Sequence, residues 1–249
     1  MGVRSKIASW INQSLKPMGL TVQRVSTVGG ERRAFSALLA CGLTVDRCID
    51  VGAHTGGWTE SLLEVWPKAS VLLVEPQEKL LEDARRRLSR RRHSVHFLAV
   101  GAGPVDEERE FFHHERLDSS SFGMSLDFPR VVSSNVLPVR RLDTMISAIF
   151  GSATPDIVKL DCEGWDLEVF RGLGAYTGTT PVLFIEAGVQ NPDFRNDVAS
   201  CLDVLSKSGY RLFNVEYAAH HARGMWNAEL CFVAEGSKIW SNAQQWTGD

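Results

Sequence analysis

Carboxylates stand at the ends of four short apolar runs, and glycines crowd after the first. Cys48-Ile49-Asp50-Val51 runs into Gly52-Ala53-His54-Thr55-Gly56-Gly57. SVLLV ends in Glu75-Pro76, DIVKL in Asp161-Cys162-Glu163, and VLFI in Glu186. Glycines at such a turn let backbone come close to a ligand where side chains would block it. An acid closing the next run can accept both hydroxyls of a ribose. In an open α/β sheet, ligands bind at the carboxyl ends of the strands.

The turn reads GxxxGG, a poor fit to the GxGxxG that seats a pyrophosphate, and no GxxxxGK[ST] is present. Asp50, before the first glycine, suits a cationic group better than a phosphate. S-adenosylmethionine carries a sulfonium, an ammonium and a ribose diol and no phosphate, so it fits this set of residues. Asp161 and Glu163 at one strand end and Glu186 at the next converge on one cleft. Two routes follow: a carboxylate takes a proton from an acceptor, or the cluster holds a divalent ion that acidifies it. Acids at a helix N-terminus also serve the helix itself, which is the plainer account of Glu163 and Glu168. His113-His114 and His220-His221 add neutral-pH bases, with His114 the better placed. Trp226 offers a face for a sugar ring.

The elements that must hold these residues follow from periodicity. Strands are expected at Cys48–Val51, Ser70–Glu75, Val95–Val100, Asp156–Asp161, Val182–Glu186, Tyr210–Val215 and Leu230–Ala234. Helices are expected at Thr59–Val65, Lys79–Arg92, Leu167–Leu173 and Asn196–Lys207. Apolar strands alternating with helices imply a mainly parallel sheet covered on both faces. The last two strands lack a helical connection and read as an antiparallel pair. Gly103 to Phe150 reads as a β-rich insertion with loops. Residues 1–46 read as a helical arm. In it Ile7, Trp10, Ile11, Leu15 and Met18 form an apolar stripe flanked by Arg4, Lys6 and Lys16. A peripheral membrane contact and a helix docked on the body both fit the stripe, and docking is the simpler reading.

Several stretches together resemble the FkbM-type family of S-adenosylmethionine-dependent O-methyltransferases. They are Ile49-Asp50-Val51-Gly52-Ala53-His54-Thr55-Gly56, Val74-Glu75-Pro76, Ser119-Ser120-Ser121, Val139-Arg140-Arg141-Leu142-Asp143, Val158-Lys159-Leu160-Asp161-Cys162-Glu163-Gly164 and Phe184-Ile185-Glu186. The resemblance implies an α/β, Rossmann-like class I methyltransferase fold, with a mainly parallel seven-stranded sheet and a terminal antiparallel hairpin. It implies cofactor contacts from Asp50, Gly52, Ala53, His54, Gly56, Glu75, Pro76, Val100, Gly101 and Ser121. It implies as acceptor a hydroxyl of a sugar, a glycosylated small molecule or a glycolipid. The family often has Asn where this chain has His54.

Composition bounds the rest. The 249 residues suit one α/β domain, and 44% hydrophobic content is that of a globular chain. A net charge of −3 argues against a nucleic-acid clamp, even though Arg85-Arg86-Arg87 and Arg90-Arg91-Arg92 load one helix. That helix keeps an RNA-modifying methyltransferase as a competing reading, beside a non-enzymatic binding protein on the same scaffold. Five cysteines without a CxxC pair suit free thiols in a reducing cytoplasm.

Overall fold

The computed structural model describes residues 31–115, 120–122, 131–190, 196–221 and 224–245. The N-terminal apolar stripe and Ser119 lie outside them, as do the side chains of Arg91, Arg92, His220 and His221.

Each apolar run forms a strand: β1 (Arg47–Val51), β2 (Ser70–Val74), β3 (Val95–Leu98), β7 (Ile157–Leu160), β8 (Val182–Gly188), β9 (Tyr210–His221) and β10 (Gly224–Ala234). They make a seven-stranded sheet in the order β3-β2-β1-β7-β8-β10-β9. Pairing is parallel from β3 to β8 and antiparallel for β10 against both β8 and β9. The order reverses between β1 and β7, where ligands seat in open α/β sheets. β9 and β10 are longer than Tyr210–Val215 and Leu230–Ala234, because their distal ends carry polar residues that break the apolar signal.

Helices α1 (Glu31–Ala40), α2 (Gly57–Val65) and α3 (Glu78–Arg87) cover one face. There Phe35, Leu38, Leu62, Leu63 and Leu81 pack on Leu73 and Phe184. Helices α4 (Leu142–Phe150), α5 (Asp166–Arg171) and α6 (Val198–Lys207) cover the other, where Met145, Val169 and Leu205 meet Ile49, Leu72, Val158 and Leu183. With helices on both faces, the central strands are apolar throughout. α3 ends at Arg87 and gives way to a 3-10 turn at Ser89–Ser94, so the expected helix to Arg92 divides in two.

The Gly103 to Phe150 stretch contains more than an insertion. Its β part is a three-stranded sheet of β4 (Gly101–Gly103), β6 (Val131–Arg141) and β5 (Glu107–His114), in the order β4-β6-β5. Its last nine residues are α4, an ordinary crossover helix that buries Leu142, Met145 and Ile146. A short α7 (Lys238–Ala243) follows β10, with its N-cap Ser237 accepting a hydrogen bond from the Trp240 N–H.

Among the described residues, no helix is long and apolar enough to cross a membrane. All five cysteines are unpaired, as their spacing suggested.

Candidate active site

A cleft of about 320 Å³ opens at the carboxyl ends of β1, β2 and β7. The glycine turn forms its floor. Gly52 has φ +72°, and a Cβ there would lie 1.8 Å from the Asp161 carbonyl oxygen. The glycine therefore lets the end of β1 close onto the acid-bearing end of β7. His54 follows with φ +49°, a region that Asn and His enter more readily than most residues. Its N–H donates to Glu75 Oε2 at 3.0 Å, and the Gln77 N–H donates to Glu75 Oε1 at 2.9 Å. Glu75 is thus a nearly buried carboxylate held by both oxygens, aimed along the cleft wall. Burial raises its pKa, and the two N–H donors oppose that.

The opposite wall is aromatic. Phe122 lies over Gly101, where a Cβ would come within 2.3 Å of its ring, and Phe111 packs edge-on to Phe122 at 4.8 Å. Trp165 lines the cleft from the acid loop and carries the Arg109 guanidinium 4.4 Å over its ring. Ser121 links the two walls: it exchanges backbone hydrogen bonds with Phe112, and its hydroxyl donates to the Glu163 carbonyl at 3.2 Å.

The acids lie at the far end. Glu163 has φ +51°; with His54 it is one of two non-glycine residues with positive φ among the described residues, and both line the cleft. Such strain persists only where the surroundings impose it. Here Asp166 imposes it, accepting from the Cys162 N–H at 2.9 Å and the Gly164 N–H at 3.1 Å. Asp166 is wholly buried, and burial with Asp161 nearby pushes its carboxyl up to about 7. Carboxylate oxygens of Asp161, Glu163 and Glu186 lie within 4.8 Å of one another. Burial, then Asp161, raises the Glu186 pKa well above its ordinary value. Asn227 Nδ2 donates to its Oε1 at 3.1 Å.

The cation set against this cluster is Lys159. Its Nζ donates to Asp161 Oδ2 at 2.8 Å and lies 3.7 Å from Asp50 Oδ1. Burial disfavours its charged form, but Asp161, Asp50 and Glu229 outweigh burial and raise its pKa.

Gly52, His54, Glu75, Pro76, Val100, Gly101, Ser121, Asp161 and Glu163 all line the cleft. Five other expected residues do not. Asp50 is wholly buried: it pairs in register with Lys159 on the helix-covered face and accepts from Thr59 Oγ1 at 2.7 Å. It braces the cleft from beneath through Thr59 and Lys159. Ala53 packs into the core under α2 and α3, and Gly56 abuts Ala84 and Leu88. His114 is buried at the end of β5, beside the lining residue Ser120 to which its N–H donates, and is not itself part of the lining. Glu186 stands behind Asp161 and Glu163. Phe111, Phe122, Trp165 and Asp166 escaped the sequence reading, because aromatic residues and a helix-start acid look alike in core and cleft.

A family model described as the methyltransferase FkbM domain matches residues 50–212. The chain belongs to the FkbM methyltransferase family. This FkbM chain has no significant match among curated protein sequences. Solved structures share its fold. The proposed O-methyltransferase of Klebsiella pneumoniae is 13% identical, with 92% of this chain and 90% of that one covered at a TM-score of 0.50. Precorrin-6y C5,15-methyltransferase from Geobacter metallireducens (13% identity, 87% and 94% covered, TM-score 0.47) is also similar. So is the N-methyltransferase NodS from Bradyrhizobium japonicum (10%, 85% and 99%, 0.48). At 13% identity and a TM-score of 0.50, the likeness to the Klebsiella pneumoniae protein shows a shared methyltransferase fold and no acceptor.

Proposed function

We propose that this FkbM methyltransferase uses S-adenosylmethionine to methylate a hydroxyl of a sugar, a glycosylated small molecule or a glycolipid. The cofactor fits the residues present. Glu75, pinned by two N–H donors, suits a ribose diol. The Gly101–Phe122 wall suits an adenine ring, and the acids at the far end suit a cation. When bound, S-adenosylmethionine would supply an electrophilic methyl carbon on a positively charged sulfur.

The observation that carries the hydroxyl reading is the placement of the Asp161 carboxylate at the cleft. An alcohol needs a base to become a good nucleophile, and general-base help is worth about 10²–10⁴-fold. Asp161 lines the cleft with its side chain 37% exposed and one oxygen taken by Lys159, which leaves Oδ1 for an acceptor hydroxyl. Glu186 stands behind it, with one oxygen accepting from Asn227. Asp161 accepts the hydroxyl proton as the acceptor oxygen bonds to the methyl carbon. Asp161 then releases the proton to solvent; S-adenosylmethionine, when bound, would supply the methyl group and keep the electron pair of its carbon–sulfur bond on sulfur.

The test is to incubate the protein with S-adenosylmethionine and a panel of alkyl and aryl glycosides and seek the mass increment of one methyl group. Product that survives EDTA supports Asp161 as the direct base. Activity lost to EDTA and restored by Mg²⁺ would contradict it. Methylation of amines alone would overturn the hydroxyl reading.

A further inference from the structure

Lys159 belongs to no cofactor contact and no proton-transfer step above, yet it is among the most constrained charges in the protein. Its side chain is 7% exposed and lies between Asp50, wholly buried, and Asp161, which lines the cleft. The Asp50 end is fixed twice over, since its other oxygen accepts from Thr59 on α2. Trp58, also on α2, lies 5.8 Å from the ammonium and closes the space beside it. A lysine is seldom buried without a specific partner, and leaving such a charge unpaired is costly. This one has a partner on either side: Asp50 lies in register with Lys159 itself on the neighbouring strand, and Asp161 follows directly after the end of β7.

Asp161 is otherwise surrounded by acids. Asp50 faces it from β1, Glu186 from β8, and Glu163 and Asp166 from the loop and helix that follow. Against these acids Lys159 brings Asp161 a cation and a hydrogen-bond donor. The ammonium binds Oδ2 at 2.8 Å, so the torsions of Asp161 are fixed and one particular oxygen is left over.

We propose that Lys159 is the positioning residue of the reaction, anchored beneath the floor on Asp50 and holding Asp161 by Oδ2 so that Oδ1 meets the acceptor. It rests on the reading of Asp161 as the base. The chain of contacts Thr59–Asp50–Lys159–Asp161 ties the first turn of α2, which follows the glycine turn, to the acid at the end of β7. A cleft rebuilt without Lys159 keeps its cofactor wall and loses its oriented base.

Carbon-13 NMR of the Asp161 side-chain carboxyl, assigned by its loss in Asp161→Asn, tests this without any acceptor. The signal is followed across about pH 3 to 8 in the wild type, Lys159→Met and Lys159→Gln, with S-adenosylhomocysteine affinity measured in each. Loss of the adjacent cation moves the titration midpoint up by about one unit or more in both variants, while affinity stays within about threefold. Gln keeps a donor and removes only the charge, so it decides the matter if Met does not fold. An unchanged midpoint in both variants, or loss of S-adenosylhomocysteine affinity in both, would overturn the proposal. Failure of the wild type to bind S-adenosylmethionine or S-adenosylhomocysteine contradicts the functional reading instead, and the Asp161 midpoint still decides the role of Lys159.

Discussion

Glu75 and Asp161 divide the labour of the cleft, and substitution separates them. Glu75→Ala removes the acceptor for a ribose diol and frees the His54 and Gln77 N–H groups. Hydrogen bonds to a charged group are worth about 1.5–3 kcal/mol, so S-adenosylhomocysteine affinity falls about 10- to 100-fold by calorimetry. An affinity within twofold of wild type would remove Glu75 from the site. Asp161→Asn keeps that affinity and lowers the methylation rate by about 10²–10⁴-fold. Equal losses in binding and rate would show that Asp161 holds the cofactor instead. Glu75 and Asp161 were both legible in the sequence, since each closes an apolar run. The supporting role of Asp50 was not, because it follows from the register Asp50↔Lys159 and from α2 lying over that face.

Elements bring these residues together through two tight places. One is Gly52, whose positive φ and 1.8 Å approach to the Asp161 carbonyl leave no room for a side chain. Gly52→Ala costs about 3 kcal/mol from the left-handed backbone and overpacking, which lowers the melting temperature by about 6–12 °C. A shift under 2 °C would mean that β1 and β7 separate readily at this point. The other is the Asp161–Trp165 loop on Asp166. The folded Asp166 holds its proton up to about 7, whereas an unfolded carboxyl releases it near pH ~3.9. Between those values the folded state binds the extra proton, so stability falls as pH rises through the window. Asp50, Glu75 and Glu186, also raised by burial, push the same way. Urea unfolding at pH 5, 6, 7 and 8 checks this: Asp166→Asn declines less steeply than wild type, and parallel curves would contradict it. The strands were readable because buried parallel strands are continuously apolar. α4 was missed although Leu142, Met145, Ile146, Ile149 and Phe150 follow the helical period, since the polar β5–β6 segment before it masked the change of rhythm.

At the scale of the whole molecule, the arginine-rich helix carries no free basic stripe in its described part. Arg85 pairs with Glu78 at 2.6 Å, Arg87 with Glu60 at 2.9 Å, and Arg86 with Asp83. With a net charge of −3, RNA affinity is expected to be weak and to vary little between 50 and 200 mM salt. Tight binding with a steep salt slope would restore the RNA-modifying alternative. The mainly parallel sheet, its antiparallel last pair and a site at the strand ends were foreseeable from the alternation of apolar runs, whereas the strand order that sets the point of reversal was not. The aromatic wall was not, because Phe111 and Phe122 come to the cleft only through the β5–β6 sheet. The central claim is that this cleft holds S-adenosylmethionine. Calorimetric titration of the wild-type protein with S-adenosylhomocysteine, and in parallel with NAD, tests it most directly. One equivalent of S-adenosylhomocysteine should bind and NAD should not; no heat from S-adenosylhomocysteine, or saturable binding of NAD in its place, would contradict it.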